Sequence, residues 1–396
     1  MRNPSFALVG LLTWLALGIQ IGHSQIVAST LPITDDLDRE SLRLAINHSI
    51  SYLSKLPADR IVGEQPRQLS AGQVLDSLAA LDRLLDRWNC WHCFVEEFNS
   101  RFELIPSSRD EQQKEVLFTG YYQPVIDGSL VETGEYRYPI YGKPTDLVIV
   151  AGLAAGSGET AKLSGRVDGE RFAPYYTRRE IDHAQLLRGR GLEIAWVKDS
   201  VELFFLHIQG SGILQLPDGK RLHIGYAGQN GRPYRSIGRL LIDQGKIPQT
   251  EMSMQRLRRY LAENPEERDE IMAHNESYVF FRVTEAGPFG SLEVPVTAGR
   301  SIATDSRIFP KGAPALIYSE SPVLDRAGHL IGWRPFVRFV LNQDTGGAIR
   351  GLQRADLYMG SGAESGAHAG YMNSIGKIYF LMLKNLGARG ERYFAR

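Results

Sequence analysis

The sequence predicts a mainly β protein with added helices, an α+β chain of 396 residues. Three observations carry this. An early segment repeats apolar residues at helical spacing. Two later stretches consist of short apolar or alternating runs broken by Gly, Pro, Asp and Asn. A helical interval separates those two stretches.

The helical start follows Ser70, a residue type that caps helices. After it Val74, Leu75, Leu78, Leu81, Leu84 and Leu85 recur on one face. Asp35 to Leu56 shows a weaker version of the pattern. From Leu117 the runs shorten: Leu117–Tyr122, Tyr138–Tyr141, Leu192–Val197, Val201–Gln209, Gly212–Leu216 and Arg221–Tyr226. Asp218–Gly219 inside Leu216–Lys220 predicts a hairpin turn, because that pair tolerates positive φ. These runs read as strands of a small barrel or sandwich. Helices are expected over Ser236–Asp243, Ser253–Ala262 and Pro265–His274, the last with acidic residues in its first turn. Strands return at Val279–Val283, Ala315–Tyr318, Val337–Leu341 and Ile378–Leu383.

Bulk properties exclude several classes. Hydrophobic residues make up 43%, charged residues 23% and aromatic residues 10%, which fits an ordinary globular protein. Forty-five basic residues balance 45 acidic ones, so no global field draws the chain to nucleic acid. Residues 1–25 combine a basic start, a short apolar run from Phe6 to Ile21 and a small-residue exit, the order of an export signal. An uncleaved anchor is the competing reading. Cys90 and Cys93 are the only cysteines. In an exported protein a C-x-x-C without a second pair reads as a local disulfide or two unreactive thiols.

The richest segment for chemistry runs from Phe336 to Gly376. Asp344 opens Asp344–Thr345–Gly346–Gly347, and Asp356 lies in a Gly-rich loop reading, twelve residues on. Glycine lets a ligand approach the backbone closely. An isolated Asp-x-Gly-Gly is more often a plain turn, with Asp344 bonding its own backbone and Asp356 paired to Arg354 or Arg350. The motif lacks the second Asp-Thr/Ser-Gly that an aspartic protease needs. Walker-type loops, H-E-x-x-H and G-x-S-x-G are missing. Gly210–Ser211–Gly212 falls in a hairpin pattern, which argues against a nucleophilic serine.

Eight segments in order then resemble the membrane-bound lytic transglycosylase A family. They include Phe118–Pro124, Tyr138–Tyr141, His207–Gly212, Tyr226–Gly231, Tyr234–Gly238, Met252–Gln255, Ser277–Phe281 and the stretch from Asp344 to Gly376, and they span about Leu117 to Lys384. The resemblance implies a double-ψ β-barrel domain, residues 26–124 plus 252–396, with a second small β-barrel inserted over 125–251 and substrate in the groove between them. It implies cleavage of the β-1,4 bond between N-acetylmuramic acid and N-acetylglucosamine, with a 1,6-anhydro product. Asp356 matches the family's catalytic acid/base and Asp344 its neighbour in the groove. Thr119, Tyr121 and Tyr122 are candidates to line that groove, and Gln209 and Ser211 to bind sugar hydroxyls or acetamido groups.

One carboxyl suffices for this chemistry because the sugar's own 6-hydroxyl attacks. Ordinary glycosidases need two. To act as an acid near neutral pH, such a carboxyl must keep its proton through burial or beside another carboxylate. The resemblance implies no cofactor and no metal. The expected partner is the glycan strand of peptidoglycan, with a monomeric enzyme in the cell envelope that could also associate with the outer membrane or with wall-synthesis proteins. Family members are often lipoproteins, and this chain shows no lipobox cysteine. A glycoside hydrolase on the same barrel and a non-catalytic wall-binding module are the alternatives.

Overall fold

The fold is taken from a computed structural model that describes residues 31–153 and 160–384. The expected export signal, 1–25, lies outside the described residues.

Among the described residues the first helix is α1 (Arg39–Leu53), capped by the Asp38 side chain. A small hairpin, β1 (Ile61–Gly63) and β2 (Leu69–Ser70), leads into α2 (Ala71–Leu84). Ser70 caps α2 in a reciprocal capping box with Gln73, as its sequence position predicts. Helix α3 (Trp91–Arg101) begins at the Cys90–Cys93 disulfide. Strand β3 (Phe102–Pro106) and β4 (Val116–Gln123) follow.

The next stretch holds β5 (Val125–Ser129), β6 (Tyr138–Tyr141), a three-stranded sheet of β7 (Val148–Leu153), β8 (Thr160–Asp168) and β9 (Arg171–Pro174), then α4 (Arg178–Asp182) and β10 (Glu193–Val197). Helix α5 (Ser200–Gln209) precedes the hairpin of β11 (Gly212–Gln215) and β12 (Arg221–Gln229). The turn at Asp218–Gly219 forms as expected, with Gly219 at φ 84°.

Helix α5 corrects the strand reading of Val201–Gln209 and the hairpin reading of Gly210–Ser211–Gly212. The Asp199 side chain caps the helix, and Gly210 ends it at φ 77°. Its residues are apolar on nearly all sides because it is buried between two cores. Leu203 and Leu206 pack into the β5–β12 core, while Phe204 and Phe205 pack against the following helices. Such a helix has no polar face to reveal its period.

Those following helices are α6 (Ile237–Asp243), α7 (Met254–Glu263) and α8 (Pro265–His274), with N-caps at Ser236 and Ser253 and Pro265 at the first turn of α8. Strand β13 (Val279–Thr284) comes next. It pairs antiparallel with β12. The sheet therefore runs β13-β12-β11-β5-β10-β6, and a bridge from Gly142 to Phe281 joins its two ends.

The last part contains β14 (Ser301–Ala303), β15 (Pro314–Leu324), β16 (Leu330–Asp344), β17 (Arg354–Ser361), α9 (Gly362–Tyr371) and β18 (Asn373–Leu383). With β4 these strands form a closed six-stranded barrel in the order β15-β16-β14-β17-β4-β18, and β18 pairs back onto β15. Strand β3 extends the sheet from β18. This closed barrel stands in the part of the chain where the double-ψ barrel is expected. Its closure depends on Gly376. A Cβ there would lie 2.1 Å from the Tyr318 carbonyl oxygen. Phe118, Ala355, Leu316 and Phe380 are fully buried in the barrel wall. Each such Phe contributes on the order of 1.5–3 kcal/mol by burial.

Candidate active site

Register across the barrel lines up five residues. Asp344 of β16 and Asp356 of β17 are both partners of Ala303 on β14. Asp356 is also the partner of Thr119 on β4, and Thr119 of Asn373 on β18. Residues opposite each other on paired strands project from the same face. Asp344, Asp356, Thr119 and Asn373 therefore share one face of the sheet. On β17 the neighbours Ala355 and Leu357 are buried, so Asp356 points away from the barrel interior.

Asp356 thus sits within a strand, not on the glycine-rich loop that the sequence suggests. Paired on both edges, β17 holds the residue's backbone rigidly. The Thr119 hydroxyl donates to Asp356 Oδ1 at 2.5 Å. Arg354, two residues earlier and so on the same face, approaches the same oxygen at 3.4 Å and Thr119 Oγ1 at 3.4 Å. Asp356 Oδ2 has no partner among the described residues. The side chain is 17% exposed.

Asp344 is held differently. Its Oδ1 accepts from the backbone amides of Ser291 and Thr345, both at 2.8 Å, and its Oδ2 accepts from the Tyr121 hydroxyl at 3.0 Å. The bond to Thr345 is the local turn that a bland reading of Asp-Thr-Gly expects. Burial is the largest influence on this carboxyl and pushes it up to about 6, against the pull of those three donors; the charge of Asp356 adds to the rise. Burial and the Asp344 carboxylate in turn raise the Tyr121 phenol well above its ordinary range.

The candidates divide accordingly. Thr119 and Tyr121, two apart on β4, join the two aspartates. Tyr122 faces the other way. It is 8% exposed, and a Cβ on Gly366 of α9 would lie 2.7 Å from its ring. Gln209 accepts from the Tyr122 backbone amide at 3.0 Å and so fastens the end of α5 to β4. Ser211 lies between the α5 C-cap and β11. Arg354, expected from sequence only as an ion partner of Asp356, meets it at 3.4 Å, and Asn373 is an addition. Asn373 required the register. The insert contributes Tyr234, whose phenol is raised chiefly by burial and feels the charges of Arg354 and Asp356. Among the described residues no cluster of His, Cys, Asp or Glu could hold a metal ion.

Comparison with known proteins supplies the family. Residues 117–282 match the family model of the MltA specific insert domain, and residues 300–382 match that of the 3D domain. The membrane-bound lytic murein transglycosylase A of Escherichia coli (strain K12) is 35% identical over 269 residues, 67% of this chain and 65% of that protein. The chain thus matches just under two thirds of that relative's length. The protein of the same name from Vibrio cholerae serotype O1 is 32% identical over 278 residues, 69% of this chain and 67% of the relative. Among solved structures, a membrane-bound lytic murein transglycosylase from Agrobacterium tumefaciens has a TM-score of 0.73 at 33% identity, covering 87% of this chain and 93% of that one. Escherichia coli MltA with bound chitohexaose has a TM-score of 0.67 at 27% identity, covering 90% and 93%.

Proposed function

Since the chain belongs to the membrane-bound lytic murein transglycosylase A family, we propose that it cleaves the β-1,4 bond between N-acetylmuramic acid and N-acetylglucosamine in peptidoglycan and leaves a 1,6-anhydro ring. Asp356 is the acid and then the base.

The observation that carries this reading is the asymmetry of the Asp356 carboxyl. Oδ1 is held by Thr119 and Arg354, and Oδ2 is left for a ligand. From Oδ2 a proton passes to the glycosidic oxygen as the bond to C1 of the muramic acid breaks. The 6-hydroxyl of the same sugar closes on C1, and its proton returns to the Asp356 carboxylate. No water is consumed, and the carboxyl ends as it began. The attack is intramolecular, with an effective concentration on the order of 10⁵–10⁸ M for a well-oriented group.

Hydrolysis on the same site is the second reading. It needs another carboxylate free to activate water or attack the sugar. Asp344 is the nearest candidate, but both of its oxygens are engaged by Ser291, Thr345 and Tyr121. That favours a supporting role, in which Asp344 shapes the field at Asp356. Envelope location goes with this reading, in line with the relatives' membrane-bound names. Among the described residues no helix is long and apolar enough to cross a membrane.

Digestion of purified peptidoglycan followed by mass spectrometry tests the proposal. The expected products are muropeptides one water lighter than hydrolysis products, and they disappear with Asp356→Asn. Ordinary reducing ends in their place would establish hydrolysis. Unchanged digestion by the Asn variant would remove Asp356 from the chemistry.

A further inference from the structure

A cavity of about 380 Å³ is bounded by β6, α4, the start of α5 and α8. None of its lining residues belongs to the Asp344–Asp356 row.

Its chemistry is mixed in a specific way. The interior wall is aromatic, with Tyr138, Tyr141 and Phe204. Asp182 enters this wall at the end of α4, with 35% of its side chain open. Its ion partner, Arg178, stands 3.5 Å away and is itself 3% open. That guanidinium is committed elsewhere. It donates to the carbonyls of Asn275 and Ser277 and meets His207 Nδ1 at 2.9 Å. Burial raises the Asp182 carboxyl, with Arg178 and Tyr278 opposing the rise, so a cation brought into the cavity would stabilise its charged form.

Tyr141 marks the point where the charges converge. It is 2% exposed, and its hydroxyl has no partner among the described residues. Burial raises its phenol most, and Glu193, Asp182, Arg188 and Glu132 all act on it. Arg137 and Arg188 bring positive charge to the rim. Arg188 is paired with Glu132, while Arg137 bonds only the Tyr138 hydroxyl, at 3.1 Å. A carboxylate inside an aromatic wall suits an ammonium group, through an ion pair and ring faces. A guanidinium at the mouth suits a carboxylate.

We infer that this cavity is a binding site for a zwitterionic peptide end, with its ammonium on Asp182 and its carboxylate on Arg137. Resting on the peptidoglycan reading above, the occupant is the peptide stem that hangs from the muramic acid. A stem held here would select for glycan that still carries peptide, separately from the chemistry at Asp356.

Calorimetric titration of the full chain with free stem tripeptide, and with the same peptide acetylated on its amines, tests this. Saturable binding of the free peptide is expected, at least tenfold weaker after acetylation and in Asp182→Asn. Arg137→Ala, at an exposed rim position, should weaken binding several-fold while melting like the wild type. It stands as the decisive variant if Asp182→Asn does not fold. Asp356→Asn should bind the peptide as the wild type does. No saturable binding, equal affinity for the acetylated peptide, or wild-type affinity in Arg137→Ala would each overturn the site. Because no turnover is read, a failed peptidoglycan digestion leaves this result intact, and the reverse also holds.

Discussion

Asp344 and Asp356 take opposite sides of one short strand, each in register with Ala303. With neighbouring strands about 4.8 Å apart, their backbones stand roughly 10 Å from each other. The two carboxyls share a face but are held differently. One is fixed by three donors and keeps its proton towards neutral pH. The other is fixed at a single oxygen. A pair so divided suits an acid with a neighbour that tunes it, and suits an acid with a free second base poorly.

Thr119→Val should separate positioning from the acid itself. The change keeps the volume and removes the one hydroxyl that donates to Asp356 Oδ1. A lost hydrogen bond to a charged group costs about 1.5–3 kcal/mol. We expect kcat to fall roughly ten- to a hundredfold, converting that range at 1.4 kcal/mol per decade, with KM little altered. Thr119→Ser should recover most of the rate. Initial rates on peptidoglycan give the answer, and a Val variant as fast as the wild type would show that the contact does not orient the acid.

Gly120→Ala tests how closely α9 must approach the site. A Cβ at Gly120 would lie 2.6 Å from the Ala369 Cα, a backbone atom that cannot turn aside. Overpacking of this kind costs about 1–3 kcal/mol. Gly120 lies between Thr119 and Tyr121, so any shift of β4 moves both side chains that hold the aspartates. The expected outcome is a lower melting temperature together with an activity loss larger than Thr119→Val produces. A variant with wild-type activity would show that α9 moves instead of β4.

Much of the architecture was legible from local chemistry. Ser70, Ser236 and Ser253 cap the helices they precede, and Asp218–Gly219 turns the hairpin it suggests. Where burial erased the period, reading failed. Helix α5 has core on two sides and no polar face. Asp356 is flanked by glycines and arginines that resemble a loop, yet β17 is held there by β4 and β14, strands distant in sequence. The aspartates were visible as residues. Their alignment through Ala303 was not, because register between distant strands leaves no local mark. Tyr122 and Gln209 looked like groove residues by type, and only their partners show them holding α5 and α9 in place.

Arg300→Met should weaken the fold without touching the row of site residues. Arg300 and Asp35 both have side chains with no exposure and pair through two bonds, at 2.6 and 2.9 Å. The same guanidinium reaches the Phe339 carbonyl and Ser41 Oγ, tying the segment before α1 to β16. Removing one partner of a buried pair costs about 3–5 kcal/mol, since the other charge is left stranded. Urea unfolding should report a loss of that size. Adding Asp35→Leu should restore part of it. If the double variant is weaker than the single one by a further full step, the pair is not acting as a stranded-charge unit.

Asp344→Asn yields the sharpest pH signature. Burial places the Asp344 carboxyl at about 6, against 3.8 for an ordinary aspartate. The folded chain therefore binds this proton more tightly than the unfolded chain. Its contribution to stability is fully present below the unfolded value and declines as pH rises through about 6. At 1.36 kcal/mol per unit the decline amounts to roughly 3 kcal/mol. An asparagine stays neutral throughout that window. Its carbonyl oxygen can accept the two amide bonds now made to Oδ1, and its NH2 can donate to the Tyr121 oxygen in place of the bond now accepted. We expect the variant to melt higher than the wild type at pH 7 and to converge with it near pH 4. In kcat/KM the wild type should show a limb near pH 6 that the variant lacks, because the changing charge at Asp344 no longer reaches Asp356. Scanning calorimetry and rate profiles across pH 4–8 measure both effects. A variant that is less stable at pH 7 by the same margin as at pH 4 would mean that folding does not raise the Asp344 carboxyl and that its proton has no part in the pH response.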